Sequence, residues 1–477
     1  LKTREKLSNS IEGALAAGGD PATSPLYVFG PFLALIVTAG VADVTFGPSI
    51  WLVVATVATV SLMYRLVMRW VTDGTGGSGL SEEEFGPWAA KANASITFIE
   101  YTLTFLVSMS ALVTFLADRF SGLRDEIAGV EGSFLVALSL SIATGALVNA
   151  GPRVAAAVFG PATAGVLLLL WLMMGATIWK FGFELPGFTL QAFEPEFIGF
   201  TLGGYARILA LMTGIEVFAN LVAAFDGPPK RRSRLAFGSL LIIMGSTAAT
   251  MLIVGPAILK LSDPSNTAVS VFTQTMDALL PAPLAYAGTL IGIAVLISAS
   301  ATALQGIAHL GHGLSHRHYV PQWLGEGNRH GIANRLVWVC VSAVGFSFFF
   351  FGTHEGTYLA LYAAGVFVLL SMTGWAATKR LWMNRRAEGL TLWSPQLFGV
   401  IVASVLTSTA TVIIFEERFS EGAWLYLVLI PILYTCMGVV RSRRGVPSTA
   451  NDDLGRAIGC TCPGFSPTGC ACERCRC

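Results

Sequence analysis

GGDPATSPLYVFGPFLALIVTAG, residues 18–40, decides how this chain is read. From Val28 onward it is apolar enough to lie in lipid, yet it is led in by one carboxylate (Asp20), two prolines (Pro21, Pro25) and two hydroxyls (Thr23, Ser24). Backbone that departs from regular helix at membrane depth is tolerated only where it is buried in protein or lines a polar cavity. Pro21 and Pro25 donate no backbone hydrogen bond and each disturbs the preceding turn, while Gly18 and Gly19 admit unusual dihedrals. The stretch predicts an interrupted first helix whose freed carbonyls can serve as ligands.

Working outward, 54% of the residues are hydrophobic and 12% charged, about half the charge of a soluble domain. Apolar runs of about 20 residues, the length that spans a bilayer, centre near Leu33, Ser61, Phe105, Leu140, Leu168, Leu211, Met244, Ala294, Ser342, Gly365, Val405 and Leu427. This predicts an all-α polytopic membrane protein of twelve transmembrane helices, with both termini on one side. If that side is the cytoplasm, only Arg119, Arg124, Lys180, Arg207, Lys260 and Arg418 fall outside, setting aside the basic residues of the far C-terminal tail; that asymmetry is the positive-inside pattern. The expected location is the plasma membrane, multi-pass, with cytoplasmic termini. The sequence opens at Leu1 without a leader pattern, so Sec cleavage is not expected. A net charge of +1 gives no reason to expect nucleic acid.

If the fold is an inverted repeat, the matching helix of its second half should also be broken. The sixth run, YARILALMTGIEVFANLVAAFDG (205–227), carries Thr213-Gly214 at mid-span and Glu216 just beyond. Helices 1–5 (about 18–180) and 6–10 (about 197–378) are then the repeats, with helices 11 and 12 (about 396–441) as additions. Residues 1–17 read as a cytoplasmic N-terminus and 445–477 as a cytoplasmic tail. Acidic groups inside spans cost about 2.5–3.5 kcal/mol each on insertion scales, so Asp20 and Glu216 are functional candidates. In the third run, IEYTLTFLVSMSALVTFLADRF (99–120), Tyr101, Thr104 and Ser108 recur three and four residues apart and share one helical face.

The break GDPATSPLYV (19–28) resembles the opening of Kup-type potassium uptake permeases. YTLTFLVS (101–108), LYAAGVF (361–367) and FSEGAWLYLVLIPIL (419–433) resemble KimA-type potassium importers of the same amino acid, polyamine and organocation (APC) transporter superfamily, and TGIEVFANL (213–221) is similar to both. The resemblance runs from about Gly18 to Arg444. It implies potassium ligation by Asp20, Tyr27, Tyr101, Thr104, Ser108, Thr213 and Tyr362, with Glu216, alongside Asp20, in proton coupling. It also implies a five-plus-five inverted repeat with discontinuous helices 1 and 6, and a homodimer is in keeping with the family. Helix 8, ISASATALQGIAHLGHGLSHRHYVPQWL (297–324), lacks the Asn and Asp found there in KimA-like proteins. No large cytoplasmic domain is read after Arg444, which speaks against nucleotide regulation.

The residues themselves favour a cation. Carbonyls, hydroxyls and a carboxylate are the hard donors a dehydrated potassium ion wants. An amino acid substrate wants backbone N–H groups facing its carboxylate, of which Pro21 and Pro25 remove two. The expectation is a secondary transporter that imports potassium by alternating access, with proton symport. An amino acid or polyamine permease of the same fold is the alternative, and a channel or a non-transporting sensor is a further one. No nucleotide-binding loop, catalytic triad or haem motif appears, so neither an enzyme nor a bound cofactor is expected.

Four other features stand out. His309, His312 and His316 share a helical face near the end of helix 8, a spacing suited to metal or pH sensing. Lys230, Arg231, Arg232 and Arg234 follow helix 6 as a basic run facing anionic lipid. DGTGGSGLSEEEFG (73–86) reads as a glycine-rich inner loop, either a gating element or a plain linker. Cys460, Cys462, Cys470, Cys472, Cys475 and Cys477 crowd a tail whose linker, VPSTANDDLG (446–455), is of disordered composition. In a reducing compartment they are weak candidates for thiolate metal binding, set against an extension of no consequence.

Overall fold

A computed structural model describes residues 6–127, 130–266, 268–385 and 394–447. The chain begins with three short helices, α1 (Ser10–Ala17), α2 (Gly19–Thr23) and α3 (Pro25–Thr38), followed by α4 (Ala42–Trp70), α5 (Gly76–Phe85) and α6 (Pro87–Ala117). A two-stranded antiparallel ribbon, Glu126–Ile127 with Val130–Glu131, leads into α7 (Gly132–Asn149) and α8 (Pro152–Phe181). After α9 (Ile198–Ile208) and α10 (Ile215–Asn220) come α11 (Pro229–Ile253), α12 (Gly255–Leu261), α13 (Val271–Leu279) and α14 (Ala282–His316). The remainder comprises α15 (Gln322–Gly325), α16 (Asn334–Phe351), α17 (Glu355–Asn384), α18 (Pro395–Arg418) and α19 (Leu425–Arg444).

Among the described residues, eleven helical stretches are long and apolar enough to cross a membrane. They coincide with all the expected runs except the first. That run is represented by α3, only 14 residues long, entered through α2. The interruption there is also milder than expected, because Gly18 and Ser24 both keep right-handed helical dihedrals. Three prolines, at 21, 25 and 31, remove backbone donors and shorten the regular segment without turning the chain.

The Ile198–Ala224 stretch breaks outright. α9 tightens into a 3₁₀ turn at Leu209–Met212, Thr213 is extended in ψ (145°), and Gly214 takes a left-handed conformation (φ 77°) before α10 starts. A further 3₁₀ turn, Leu221–Ala224, ends the stretch. Residues 76–85, expected within a loop, form helix α5 instead.

Helices α6 and α17 have the most buried apolar windows and α19 the least. α14 packs along α6 and α8, and α17 packs along α6 and α18. Small residues bring these helices close, as membrane packing requires: a Cβ on Gly292 would stand 2.8 Å from the Phe115 ring, and one on Gly306 would stand 2.6 Å from the Tyr101 ring. Apolar side chains such as Leu290, Phe346, Phe349 and Phe350 are exposed on the outside, where lipid replaces protein contacts.

The N-terminal segment is tied to the end of the broken stretch. Leu7 donates its N–H to Ala224 O (3.1 Å) and accepts from Asp226 N (3.0 Å), and Ser10 Oγ donates to Leu235 O (2.9 Å).

Candidate functional site

The two interruptions meet. A Cβ on Gly214 would lie 2.7 Å from Pro21 Cδ and 3.1 Å from Asp20 Oδ2. Both the left-handed φ and this close approach therefore require glycine. The meeting places the Asp20 carboxylate beside the start of α10.

Asp20 is buried at 8% exposure. Its carboxylate accepts from Tyr362 Oη on α17, 3.3 Å from each oxygen, and Thr104 of α6 stands beside that same hydroxyl. Thr23 Oγ1 donates to the Asp20 carbonyl at 2.6 Å. On the next turn Ser24 Oγ lies 3.3 Å from Tyr27 Oη, 3.4 Å from Thr213 Oγ1 and 3.5 Å from the Ala210 carbonyl. Thr213 Oγ1 itself donates to Ala210 O (2.9 Å). Behind α2, a Cβ on Gly19 would face Ser298 Oγ of α14 at 3.3 Å and Thr163 Oγ1 of α8 at 3.5 Å.

The structure thus brings Asp20, Tyr27, Thr104, Thr213 and Tyr362 to one buried centre. Thr104 Oγ1 also bonds back to Glu100 O (2.9 Å), the local habit of threonine in a helix. Ser108 is buried further along α6. Tyr101 is half-buried with its ring against Gly306 of α14. The sequence does not single out Ser24 as a ligand, although it lies inside the opening stretch, nor Ser298 and Thr163, because small hydroxyls are common in membrane helices.

Glu216 occupies a second, separate setting. Its Oε1 accepts from both the backbone N–H and the hydroxyl of Ser78 on α5, each at 3.1 Å. The glycine-rich composition of α5 explains the approach, since a Cβ on Gly76 would lie 2.2 Å from Asn220 Oδ1 and one on Gly77 2.2 Å from Thr373 Oγ1. The other end of α5 is clamped by cations. Glu82 receives a bidentate guanidinium from Arg317 at the end of α14, with one contact at 3.1 Å. Arg380 of α17 reaches Glu83 (2.5 Å) and Glu84 (2.7 Å).

Of the histidines, His309 is exposed and His312 and His316 are half-buried. Among the described residues no group of three or more His, Cys, Asp or Glu side chains is arranged to hold a metal ion. Cys340 is buried and Cys436 exposed. Cys460, Cys462, Cys470, Cys472, Cys475 and Cys477 lie outside the described residues.

Long apolar helices around a buried polar centre define a polytopic α-helical membrane protein. Over 387 residues the chain is 24% identical to "Potassium transporter KimA" of Bacillus subtilis (strain 168), a match covering 78% of this chain and 60% of that protein. This is a distant relationship, and the chain spans less than two thirds of the relative's length. No family model matches the chain.

Proposed function

We propose that the protein is a secondary transporter, and not an enzyme, that imports potassium by alternating access, with proton symport. The observation that carries this reading is the chemistry of the centre where the two interruptions meet. Every side-chain donor placed there is an oxygen, and the Asp20 carboxylate is accompanied by the hydroxyls of Ser24, Tyr27, Thr213 and Tyr362 and the Ala210 carbonyl. Hard oxygen donors around one carboxylate suit a dehydrated monovalent cation. In transporters built on broken helices, half-helix N-termini point at anionic groups of the substrate. Here the protein's own Asp20 sits beside the start of α10, which disfavours a substrate carboxylate in that place. The distant relative's name agrees with the ion.

In this reading both termini are cytoplasmic, the halves at about 18–180 and 197–378 are inverted repeats, and Tyr101 and Ser108 extend the ion's path along α6. Glu216 handles the proton, apart from the ion, through its contact with α5. An inside-negative potential drives cation entry by about 2.3 kcal/mol per charge per 100 mV.

The test is uptake by purified protein in liposomes. Accumulation of rubidium or potassium under an imposed potential, competed by unlabelled potassium and saturable, is the expected result. Uptake of labelled amino acids or polyamines with no cation uptake would replace this reading with that of an organic-solute permease.

A further inference from the structure

The histidines at the end of α14 have no part in the transport reading, and two of them are arranged for another purpose. His312 and His316 lie one turn apart, so their side chains stack along one face of the helix. Their Nε2 atoms approach to 3.3 Å, with the two rings nearly perpendicular (89°). Two imidazole nitrogens bound to one tetrahedral ion at about 2.0–2.1 Å are separated by about 3.3–3.4 Å. The observed spacing matches that of two ligands on one metal.

The tautomer required for ligation is also set. His312 Nδ1 lies 2.9 Å from the carbonyl oxygen of Gly325, at the end of the short helix α15. A carbonyl can only accept, so Nδ1 carries the proton and Nε2 keeps its lone pair directed at His316. A backbone carbonyl holding the outer nitrogen is the usual way in which a ligating histidine is oriented and made more basic. Both rings are half-buried, so they are reachable from solution yet held by packing. Arg317, the residue after His316, is engaged by Glu82, which reduces its repulsion of an incoming ion.

We infer that His312 and His316 form a two-histidine chelate for a first-row divalent transition metal of the zinc or nickel class, water completing the coordination. Imidazole pairs select such ions over magnesium or calcium, which prefer oxygen. The site is separate from the potassium centre and uses none of its residues.

Zinc and nickel chloride would be titrated by calorimetry into the chain of residues 1–477 in detergent. Cys460, Cys462, Cys470, Cys472, Cys475 and Cys477 would be exchanged for serine throughout, so that thiolates do not compete. One ion per chain is expected. His312→Ala and His316→Ala should each weaken binding at least about tenfold, since loss of an outer-sphere partner alone costs about 10–100-fold. His309→Ala, three residues away and exposed, should leave it unchanged. If either alanine variant fails to fold, as read by its thermal melt, the corresponding Asn variant replaces it with the same expected loss. Absence of saturable binding, or binding unchanged when both histidines are replaced, would show that the 3.3 Å contact is only a hydrogen bond between the rings and would overturn the inference.

Discussion

Glu216 and Ser78 are joined twice, the backbone N–H and the hydroxyl of Ser78 both donating to one carboxylate oxygen at 3.1 Å. The bond links the short helix beyond Gly214 to the glycine-rich helix α5. A hydrogen bond to a charged group is worth about 1.5–3 kcal/mol, so Ser78→Ala, which keeps only the N–H donor, should slow proton-driven uptake by about ten- to a hundredfold. Glu216→Gln keeps the shape and removes the titrating group. It should retain potential-driven cation uptake in liposomes but lose the response to an imposed pH gradient. A full response retained by Glu216→Gln would end the proton-coupling assignment.

Asp20 is expected to hold the ion. Asp20→Asn removes the carboxylate that the Tyr362 hydroxyl faces and should raise the half-saturating potassium concentration by more than about tenfold, because an ion loses its charge-assisted partner in a buried site. Tyr362→Phe removes a hydroxyl 3.3 Å from both carboxylate oxygens. That contact is long, and its loss should cost only about three- to tenfold. Rubidium uptake measured across a concentration series separates the two sizes of effect.

Gly214 leaves no room for a side chain. Alanine there must adopt a left-handed conformation, which costs about 1–2 kcal/mol, and must push against the rigid ring of Pro21. Gly214→Ala should lower the melting temperature in detergent and abolish uptake. Gly399→Ala on α18, where a Cβ meets nothing within 4 Å, should do neither.

Arg317 is 1% exposed and its charge is balanced by Glu82. Breaking a buried pair by removing one partner costs about 3–5 kcal/mol, because the remaining charge stays buried. Glu82→Gln should therefore destabilise the protein more than Glu83→Gln, since Glu83 is more than half exposed. Thermal melts of the two variants, compared side by side, test this ranking.

Truncation after Arg444 removes the cysteine-rich tail and no residue of either polar centre. Uptake rate and expression should both match those of the full chain, measured in the same liposome and membrane preparations.

The membrane-spanning character of the chain was legible in its sequence because lipid imposes a one-dimensional rule. Any helix in lipid must be apolar for about 20 residues, and eleven of the expected runs became such helices. The same rule marked Asp20, Glu216 and Thr213-Gly214 as exceptions, since polar groups and broken backbone are costly at that depth. The rule does not report which face of one helix meets which face of another. The resemblance names Asp20 and Tyr362 together, but the direct contact between them, across 342 positions, is made by tertiary packing. Packing also turned Glu216 toward Ser78 on α5, in a stretch that composition marked as a loop because glycine is a poor helix former in isolation. Those glycines are there for the close approach of α5 to Asn220 and Thr373, a requirement that exists only once the helices are packed.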